Sequence, residues 1–207
     1  MAAYPVTFDI DHQETYDRTQ VAIRILIIIV LSILAGAIGW VPGALYLALP
    51  VLAAVLISQK GAQTYFAESE QNMTLWLRYV VGFYTYMFLL TDKLPNKEAH
   101  AVRFDVTPAG DVTAGAVLVR IITAIPHAIV LAILGIVAGI LLIIAAIMVL
   151  VQESYPQGIF DFLRGYLRWH ARLFAYLAGL AQDYPPFALD TGPEAPPAAS
   201  PPQPQAT

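Results

Sequence analysis

The sequence contains no cysteine and little charge: only 13% of its 207 residues are Asp, Glu, Lys or Arg. Without cysteine the chain can form no disulfide, no thiolate zinc site and no iron–sulfur cluster. Soluble domains carry about 25% charged residues. The shortage of charge, together with a mean hydropathy of +0.63, indicates that much of the chain lies in a bilayer.

Motifs for catalysis are missing as well. The sequence has no phosphate-binding loop, no nucleophile elbow and no spacing typical of metal ligands. Its 11 Lys and Arg residues are too few for a nucleic-acid-binding surface. We therefore expect no enzymatic activity, no cofactor and no nucleic-acid partner.

Two apolar runs predict the membrane segments. Residues 25–59 contain no Asp, Glu, Lys, Arg or His, and as one helix they would measure roughly 50 Å at about 1.5 Å per residue. A hydrocarbon core is about 30 Å thick, and Trp40-Val41-Pro42-Gly43 is a turn signal. We predict a hairpin of two spans at 20–39 and 43–59. Residues 121–151 predict a second hairpin, with its tip near Gly135 or Gly139.

The two runs belong to a degenerate tandem repeat. Each is preceded by an alternating, β-prone segment, at 4–10 and 100–106, which predicts a short strand. The matching positions are Val6, Phe8, Asp9 and Arg24 with Val102, Phe104, Asp105 and Arg120 at an offset of 96, and Phe83, Asp92 and Pro95 with Phe174, Asp183 and Pro186 at an offset of 91. We predict a first membrane repeat at 1–98, a second at 99–190 and a disordered Pro-rich tail at 191–207.

An apolar, aromatic segment at 74–91 has two interpretations: a third span, or a helix in the membrane interface. Residues 158–182 predict a basic amphipathic helix of interfacial type. Arg164, Arg168 and Arg172 form one stripe with Asp161, opposite Phe160, Leu163 and Leu167. We expect these arginines to lie at headgroup level and, together with Trp169 and Asp161, to bind lipid or a partner.

The distribution of charge predicts the topology. Residues 1–17 contain no Lys or Arg, so we expect a retained signal-anchor and no cleavable signal peptide. Every Lys and Arg lies outside the two apolar runs. The positive-inside rule then favours a multi-pass protein of the bacterial cytoplasmic (inner) membrane with both termini cytoplasmic.

Four motifs together resemble an uncharacterised family of bacterial integral membrane proteins, the domain of unknown function 4389 (DUF4389). They cover about 120–190: Ala124-Ile125-Pro126-His127, Tyr155-Pro156-x-Gly158-Ile159-Phe160-Asp161-Phe162, Gly165-x-Leu167-Arg168-Trp169 and Tyr184-Pro185-Pro186-Phe187. The first repeat lacks Ile-Pro-His and Phe-Asp-Phe, so what these motifs do is done once per chain. The resemblance implies a membrane fold and supplies no activity, cofactor or substrate.

Two residues have competing interpretations. His127 is the only ionisable side chain in either run, so it is a candidate haem or chlorophyll ligand or proton relay. It follows Pro126, which frees a backbone carbonyl, so it could instead serve helix geometry. Asp161 is either an acid in an aromatic pocket or the partner of Arg164 at the start of a helix.

The fold that these observations predict is an all-α integral membrane protein with two transmembrane helical hairpins, about four spans. An amphipathic helix follows each hairpin, and short β-strands lie on the cytoplasmic side. The function that fits is a non-catalytic accessory or scaffolding subunit of a membrane complex, with lipids and other membrane subunits as partners. Two alternatives stay open: lipid or small-molecule transport, and membrane shaping by a hairpin protein. What co-purifies in mild detergent discriminates between them.

Overall fold

The computed structural model describes residues 4–35, 41–69, 72–95, 101–107 and 112–194. In these ranges the chain forms two strands and seven helices. They are β1 (Val6–Ile10), α1 (Arg18–Ala35), α2 (Val41–Lys60), α3 (Ala62–Ser69), α4 (Met73–Met87), β2 (Val102–Val106), α5 (Ala114–Thr123), α6 (Ile125–Gln152) and α7 (Gln157–Leu177). The prediction of a mostly helical chain with short β-segments is confirmed.

The two predicted strands form one antiparallel pair with Phe8 opposite Phe104 at its centre. The side chains of both phenylalanines are buried, because alternate residues of a strand point to the same face. The outer partners are Val6 with Val106 and Ile10 with Val102.

Helix α7 lies at the centre of the described structure. It packs against β1 on one side and α6 on another, and it also contacts α4, α2 and α5. Helix α4 packs against β2, α1 packs against α6, and α2 packs against α5. The helices α1, α2, α5 and α6 therefore form a layer, and α7 separates this layer from the strands.

The hairpin predicted for the second apolar run is wrong, because α6 continues as one helix through both Gly135 and Gly139. A lone glycine costs a helix only about 1 kcal/mol relative to alanine, which the surrounding packing readily offsets. Gly135 serves packing instead: a Cβ there would lie 3.0 Å from the Tyr166 hydroxyl. The chain changes helix near Ala124, where α5 ends and Pro126 enters the first turn of α6.

The first apolar run contains two helices, close to the predicted spans, but their main partners are not each other. Helix α1 packs mainly against α6, and α2 packs mainly against α5. The predicted turn falls partly on residues 36–40, which lie outside the described residues. The layout of two hairpins is therefore not supported, and neither are four spans.

Helix α4, within the predicted segment 74–91, is 15 residues long. At about 1.5 Å per residue it measures roughly 22 Å, less than the hydrocarbon core of about 30 Å. Its buried residues include Leu77, Val81 and Tyr86, which pack in the protein core. Of the two interpretations, the third span is therefore wrong.

Matched contacts relate the two halves of the chain, residues 4–95 and 101–194. The Arg24 guanidinium lies 4.1 Å from the ring centroid of Tyr86 and donates to the Thr91 carbonyl at 2.5 Å. Arg120 lies 4.5 Å from the ring centroid of Tyr176 and donates to the Ala181 carbonyl at 2.8 Å. The arginines are 96 residues apart, as in the predicted alignment of the repeats. Their partners are 90 apart, so the matched contacts in this part of the chain lie one residue off the predicted offset of 91.

Other contacts cross between the halves in the same reciprocal way. Arg78 of α4 donates to the Phe104 carbonyl of β2 at 3.0 Å, and Arg168 of α7 donates to the Phe8 carbonyl of β1 at 2.8 Å. The Tyr65 hydroxyl donates to the Ala178 carbonyl at 2.5 Å, and the Tyr155 hydroxyl donates to the Phe88 carbonyl at 3.0 Å. Each half thus holds the strand and the helix end of the other.

Candidate functional site

The two sides of α7 carry different chemistry. At 100° per residue, Arg164, Arg168 and Arg172 point towards β1. Tyr166, Trp169 and Tyr176 point towards α5 and α6, where they meet Gly135, His127 and Thr123. The predicted arginine stripe is therefore present, but its surroundings differ from the prediction.

Arg168 is the most deeply buried of the three arginines, with a side chain 2% exposed. Besides its bond to Phe8, it donates to the Asp9 carboxylate at 3.1 Å and to the carbonyls of Asp190 and Gly192 at 2.5 and 2.8 Å. A guanidinium has five N–H groups in a planar fork, and here they connect α7 with β1 and with residues 190–192. Burial lowers the pKa of Arg168, while the carboxylates of Glu194 and Asp9 oppose this shift.

Asp9 of β1 is the carboxylate that these arginines share, and it is 3% exposed. Its oxygens lie 3.1 Å from Arg168, 3.9 Å from Arg164 and 2.8 Å from Arg103 of β2. A carboxylate can be buried as an ion only when it is paired and hydrogen-bonded. The cluster therefore neutralises itself within this chain.

Residues 184–194, here called the C-terminal segment, lie along α7 and complete the cluster. Arg172 binds the carboxylates of Asp190 at 2.5 Å and Glu194 at 3.1 Å, and Arg164 donates to the Thr191 carbonyl. Glu194 also accepts from the Phe8 backbone N–H at 2.7 Å. Residues 195–207 of the predicted tail lie outside the described residues.

The headgroup position predicted for the arginine stripe needs correction. All three arginine side chains are at most 7% exposed, and the carboxylates that they meet belong to this chain. The amphipathic pattern gave the correct face, but a pattern of 3.6 residues does not say whether headgroups or protein carboxylates cover that face. Whether these residues also bind a lipid or a partner stays a prediction.

Asp161 binds Arg164 at 2.7 Å and accepts from the Gln157 side chain at 2.9 Å. Its side chain is 30% exposed, so the carboxylate is not enclosed by the neighbouring phenylalanines. The pairing three residues apart, one of the two interpretations from the sequence, is the one that the structure contains.

His127 is fully buried in a cage of aromatic rings. Its Nδ1 accepts from the Trp169 indole N–H at 3.0 Å, and Phe187 stacks on the ring with centroids 4.0 Å apart. Tyr184 lies at 4.7 Å. Because Nδ1 accepts, the neutral ring carries its proton on Nε2, which has no partner among the described residues. A metal ligand needs a free nitrogen lone pair, so this tautomer does not suit the predicted haem or chlorophyll ligand.

A groove of about 550 Å³ opens between the helices α2, α5 and α6, next to α7. Its walls carry small and apolar residues of α2, α5 and α6, including Gly43, Ala128 and Ala132. Tyr46, Tyr166 and His170 also line it. The Tyr46 hydroxyl is buried and has no partner in the described part of the chain.

Sequence reasoning missed the carboxylates that pair with the arginine stripe, which are Asp9, Asp190 and Glu194. It also missed Arg103, which shares Asp9 with the stripe. Acidic residues at 9 and 194 are separated from α7 along the chain, and no local pattern connects them to it. The Arg24 and Arg120 pair did leave a signal, because both are the arginines that precede an apolar run in the repeat alignment.

Two helices are long and apolar enough to cross a membrane, residues 43–60 and 125–152. Such helices are weak evidence on their own, but they are consistent with membrane association. Within the described ranges, no group of three or more His, Cys, Asp and Glu side chains could hold a metal ion.

Comparison with known proteins gives one family. The family model described as "Domain of unknown function (DUF4389)" matches residues 115–188. No curated protein and no solved structure matches the chain.

Proposed function

Residues 115–188 belong to the DUF4389 family, and from this premise we propose that the protein is a non-catalytic accessory or scaffolding subunit of a larger membrane complex. We place it at the bacterial cytoplasmic membrane with both termini on the cytoplasmic side. Its partners are lipids and the apolar surfaces of other membrane subunits.

One observation carries this proposal: the reactive groups face inwards and the apolar groups face outwards. The arginines and carboxylates around α7 are bonded to one another and to backbone carbonyls of this chain. The outer side of α6, in contrast, exposes Ile125, Ile136 and Val151 by 51–68%. A contiguous apolar surface of this kind is typical of a membrane or protein contact.

The matched contacts of the two halves favour a tandem repeat as the origin of this architecture. A duplication would explain why Arg24 and Arg120, Arg78 and Arg168, and Tyr65 and Tyr155 have equivalent partners. The His127 cage belongs to the second half alone, so it is not needed for the repeated framework.

Site-specific crosslinking in native membranes tests the proposal. A photo-crosslinking residue replaces Ile136 on the outer side of α6 or, as a matched control, the 64%-exposed Asp105 of β2. We expect a discrete protein adduct from position 136, and the same protein at constant stoichiometry after purification in mild detergent. Adducts with lipid alone, from a chain that purifies without a partner, would remove the scaffolding role.

The groove between α2 and α6 favours a second candidate, the binding or transport of a lipid or another apolar small molecule. Its volume of about 550 Å³ is within the usual range of ligand sites. The Tyr46 side chain lines this groove, and its hydroxyl is buried without a described partner. A small shift of this side chain towards a bound molecule would give the hydroxyl a carbonyl acceptor and remove the cost of an unsatisfied buried group.

Lipid retention distinguishes this second candidate. We expect native mass spectrometry of the detergent-purified protein to detect a bound lipid that Tyr46→Phe loses at least several-fold. Tyr84→Phe is the matched control, because its hydroxyl is also buried without a described partner but does not line the groove. Equal retention in all three proteins, or none in wild type, would exclude the candidate.

A further inference from the structure

The exposed apolar residues of α6 lie on one side of the helix. Along α6, the buried residues Leu131, Ala138 and Ala145 form one stripe, separated by seven residues each. The most exposed residues lie on the opposite side of the helix along its whole length: Ile125, Ile129, Ile133, Ile136, Ile140, Ile143, Ile147 and Val151. Helices α2 and α5 also expose apolar side chains, namely Leu47, Val51, Val55, Leu118, Val119 and Ile122. Helix α1 differs, because its residues from Ile25 to Val30 are exposed nearly all round the helix.

The side of α7 away from this layer is charged, and β1 and the C-terminal segment cover it. Near the middle of α6, Gly135 meets Tyr166 of α7. On the other side of α7 the arginine cluster continues through Asp9 to Arg103 and Asp11, whose side chains are 53% and 81% exposed. At the level of the middle of α6, the apolar outer side of this helix and the exposed ion pair of Arg103 with Asp11 therefore lie on opposite sides of α7.

A transmembrane orientation of α6 conflicts with this arrangement. It would place Arg103 and Asp11 beside the middle of the helix, at the depth of the bilayer centre. Charged side chains at that depth are rare, and they face a protein interior or a water-filled cavity.

We propose that the protein is monotopic: α2, α5 and α6 lie parallel to the membrane plane, with their outer side in the hydrocarbon of a single leaflet. The strands and the arginine cluster then face the aqueous phase. An amphipathic layer at the interface needs one apolar and one polar side, which is how this layer and α7 are arranged. The inference rests on the membrane location in the proposed function, but it needs no partner subunit.

The depth of spin labels along α6 tests this orientation. The chain has no native cysteine, so Ile129→Cys, Ile136→Cys, Ile143→Cys and Val151→Cys can each carry a single label. The purified full-length variants are reconstituted in vesicles of phosphatidylethanolamine and phosphatidylglycerol at about 3:1. Depth is measured from relaxation by oxygen and by a water-soluble nickel chelate. Asp105→Cys, on the exposed strand, is the matched aqueous control.

A monotopic protein should give the same depth at all four positions, and Asp105→Cys should be accessible to nickel. Greatest depth at 136 and 143, with shallow labels at 129 and 151, would indicate a spanning helix and overturn the proposal. Labels inaccessible to both reagents would show that a second copy covers the layer, which also overturns it. If the vesicles separate from the protein in a flotation gradient, the protein does not associate with the membrane, and the proposal is overturned on that ground. The scaffolding role is tested separately, by crosslinking to a subunit.

Discussion

In the first half of the chain, Arg24 packs over Tyr86 and reaches the Asp92 carboxylate at 3.4 Å. In the second half, Arg120 packs over Tyr176 and reaches the neutral Gln182 side chain at 2.8 Å. In both sites the arginine donates to a backbone carbonyl. The side-chain partners differ in charge, because Asp92 is an anion and Gln182 is neutral. The framework therefore depends on arginine–carbonyl bonds, which both halves keep, more than on ion pairs.

A second difference is burial. The side chain of Arg78 is 25% exposed, and its carboxylate partner Asp105 is 64% exposed. The equivalent Arg168 and Asp9 are 2% and 4% exposed. The same contact between helix and strand is thus partly hydrated in one half and enclosed by the C-terminal segment in the other.

The largest loss of stability is expected from replacing the buried arginine of these two equivalent contacts. Arg168→Met keeps most of the side-chain volume but leaves Asp9 without its closest buried partner and the Phe8 carbonyl without a donor. Breaking a buried ion pair costs about 3–5 kcal/mol, whereas Arg78→Met, which removes a partly exposed ion pair and the donor to the Phe104 carbonyl, should cost about 2 kcal/mol. Denaturant unfolding in detergent micelles, followed by tryptophan fluorescence, measures both. Equal losses would mean that burial does not distinguish the two sites.

Two tyrosines provide the next test, in which the halves should behave alike. Tyr65 and Tyr155 are both 3% exposed, and each donates to a carbonyl at the helix end of the other half. Tyr65→Phe and Tyr155→Phe should each lower the free energy of unfolding by about 2 kcal/mol, because each leaves a buried carbonyl unpaired.

The double variant Tyr65→Phe/Tyr155→Phe tests whether the two contacts stabilise the fold independently. The two sites lie in different parts of the structure, so their effects should add to within about 0.5 kcal/mol. A much larger effect of one single variant would show that the two contacts are equivalent in geometry only.

Sequence patterns predicted the parts of this fold that depend on local periodicity. Alternation predicted β1 and β2, and the spacing of Arg164 and Arg168 predicted the side of α7 on which they lie. The pairing of Phe8 with Phe104 could not be read in the same way, because a repeat makes two segments equivalent without saying that they touch.

The remaining errors concern contacts between residues far apart in the chain. Gly135 resembles a hairpin tip in the sequence, yet it is the place where the Tyr166 hydroxyl approaches α6. His127 resembles a ligand, yet its Nδ1 is bonded to Trp169 of another helix. Such assignments depend on tertiary packing, which no window of the sequence contains.

A pH dependence should belong to the second half alone. His170 packs between Tyr166 and Phe174, and burial lowers its pKa to about 4; the equivalent position in the first half is Val80. Because this pKa is below the unfolded value of about 6.5, the stabilisation by neutral His170 is complete above pH 6.5 and decreases as the pH falls towards 4. Between pH 7 and pH 5 the loss should be about 1–2 kcal/mol.

His170→Val, which copies the first half, is the control for this pH dependence. Unfolding of both proteins at pH 7 and pH 5 isolates the histidine, because all other titrating groups are shared. If acidification weakens the two proteins equally, His170 is not the group responsible.

The smallest expected effect concerns the turns that end α4 and α7, where Leu89 and Gly179 both have a positive φ, of 63° and 78°. In each turn the residue donates to a carbonyl three positions earlier, that of Tyr86 or Tyr176, at 3.0 Å. A side chain in this left-handed conformation costs roughly 1 kcal/mol, which burial of the Leu89 side chain, 4% exposed, offsets. Gly179→Ala gains no such burial, and its Cβ would lie 3.2 Å from Val117. It should therefore lower the free energy of unfolding by about 1 kcal/mol.

The matched control, Gly115→Ala in the open first turn of α5, should act in the opposite direction, because alanine is the better helix former. A neutral Gly179→Ala would mean that the second half, like the first, can hold a side chain at this turn without strain.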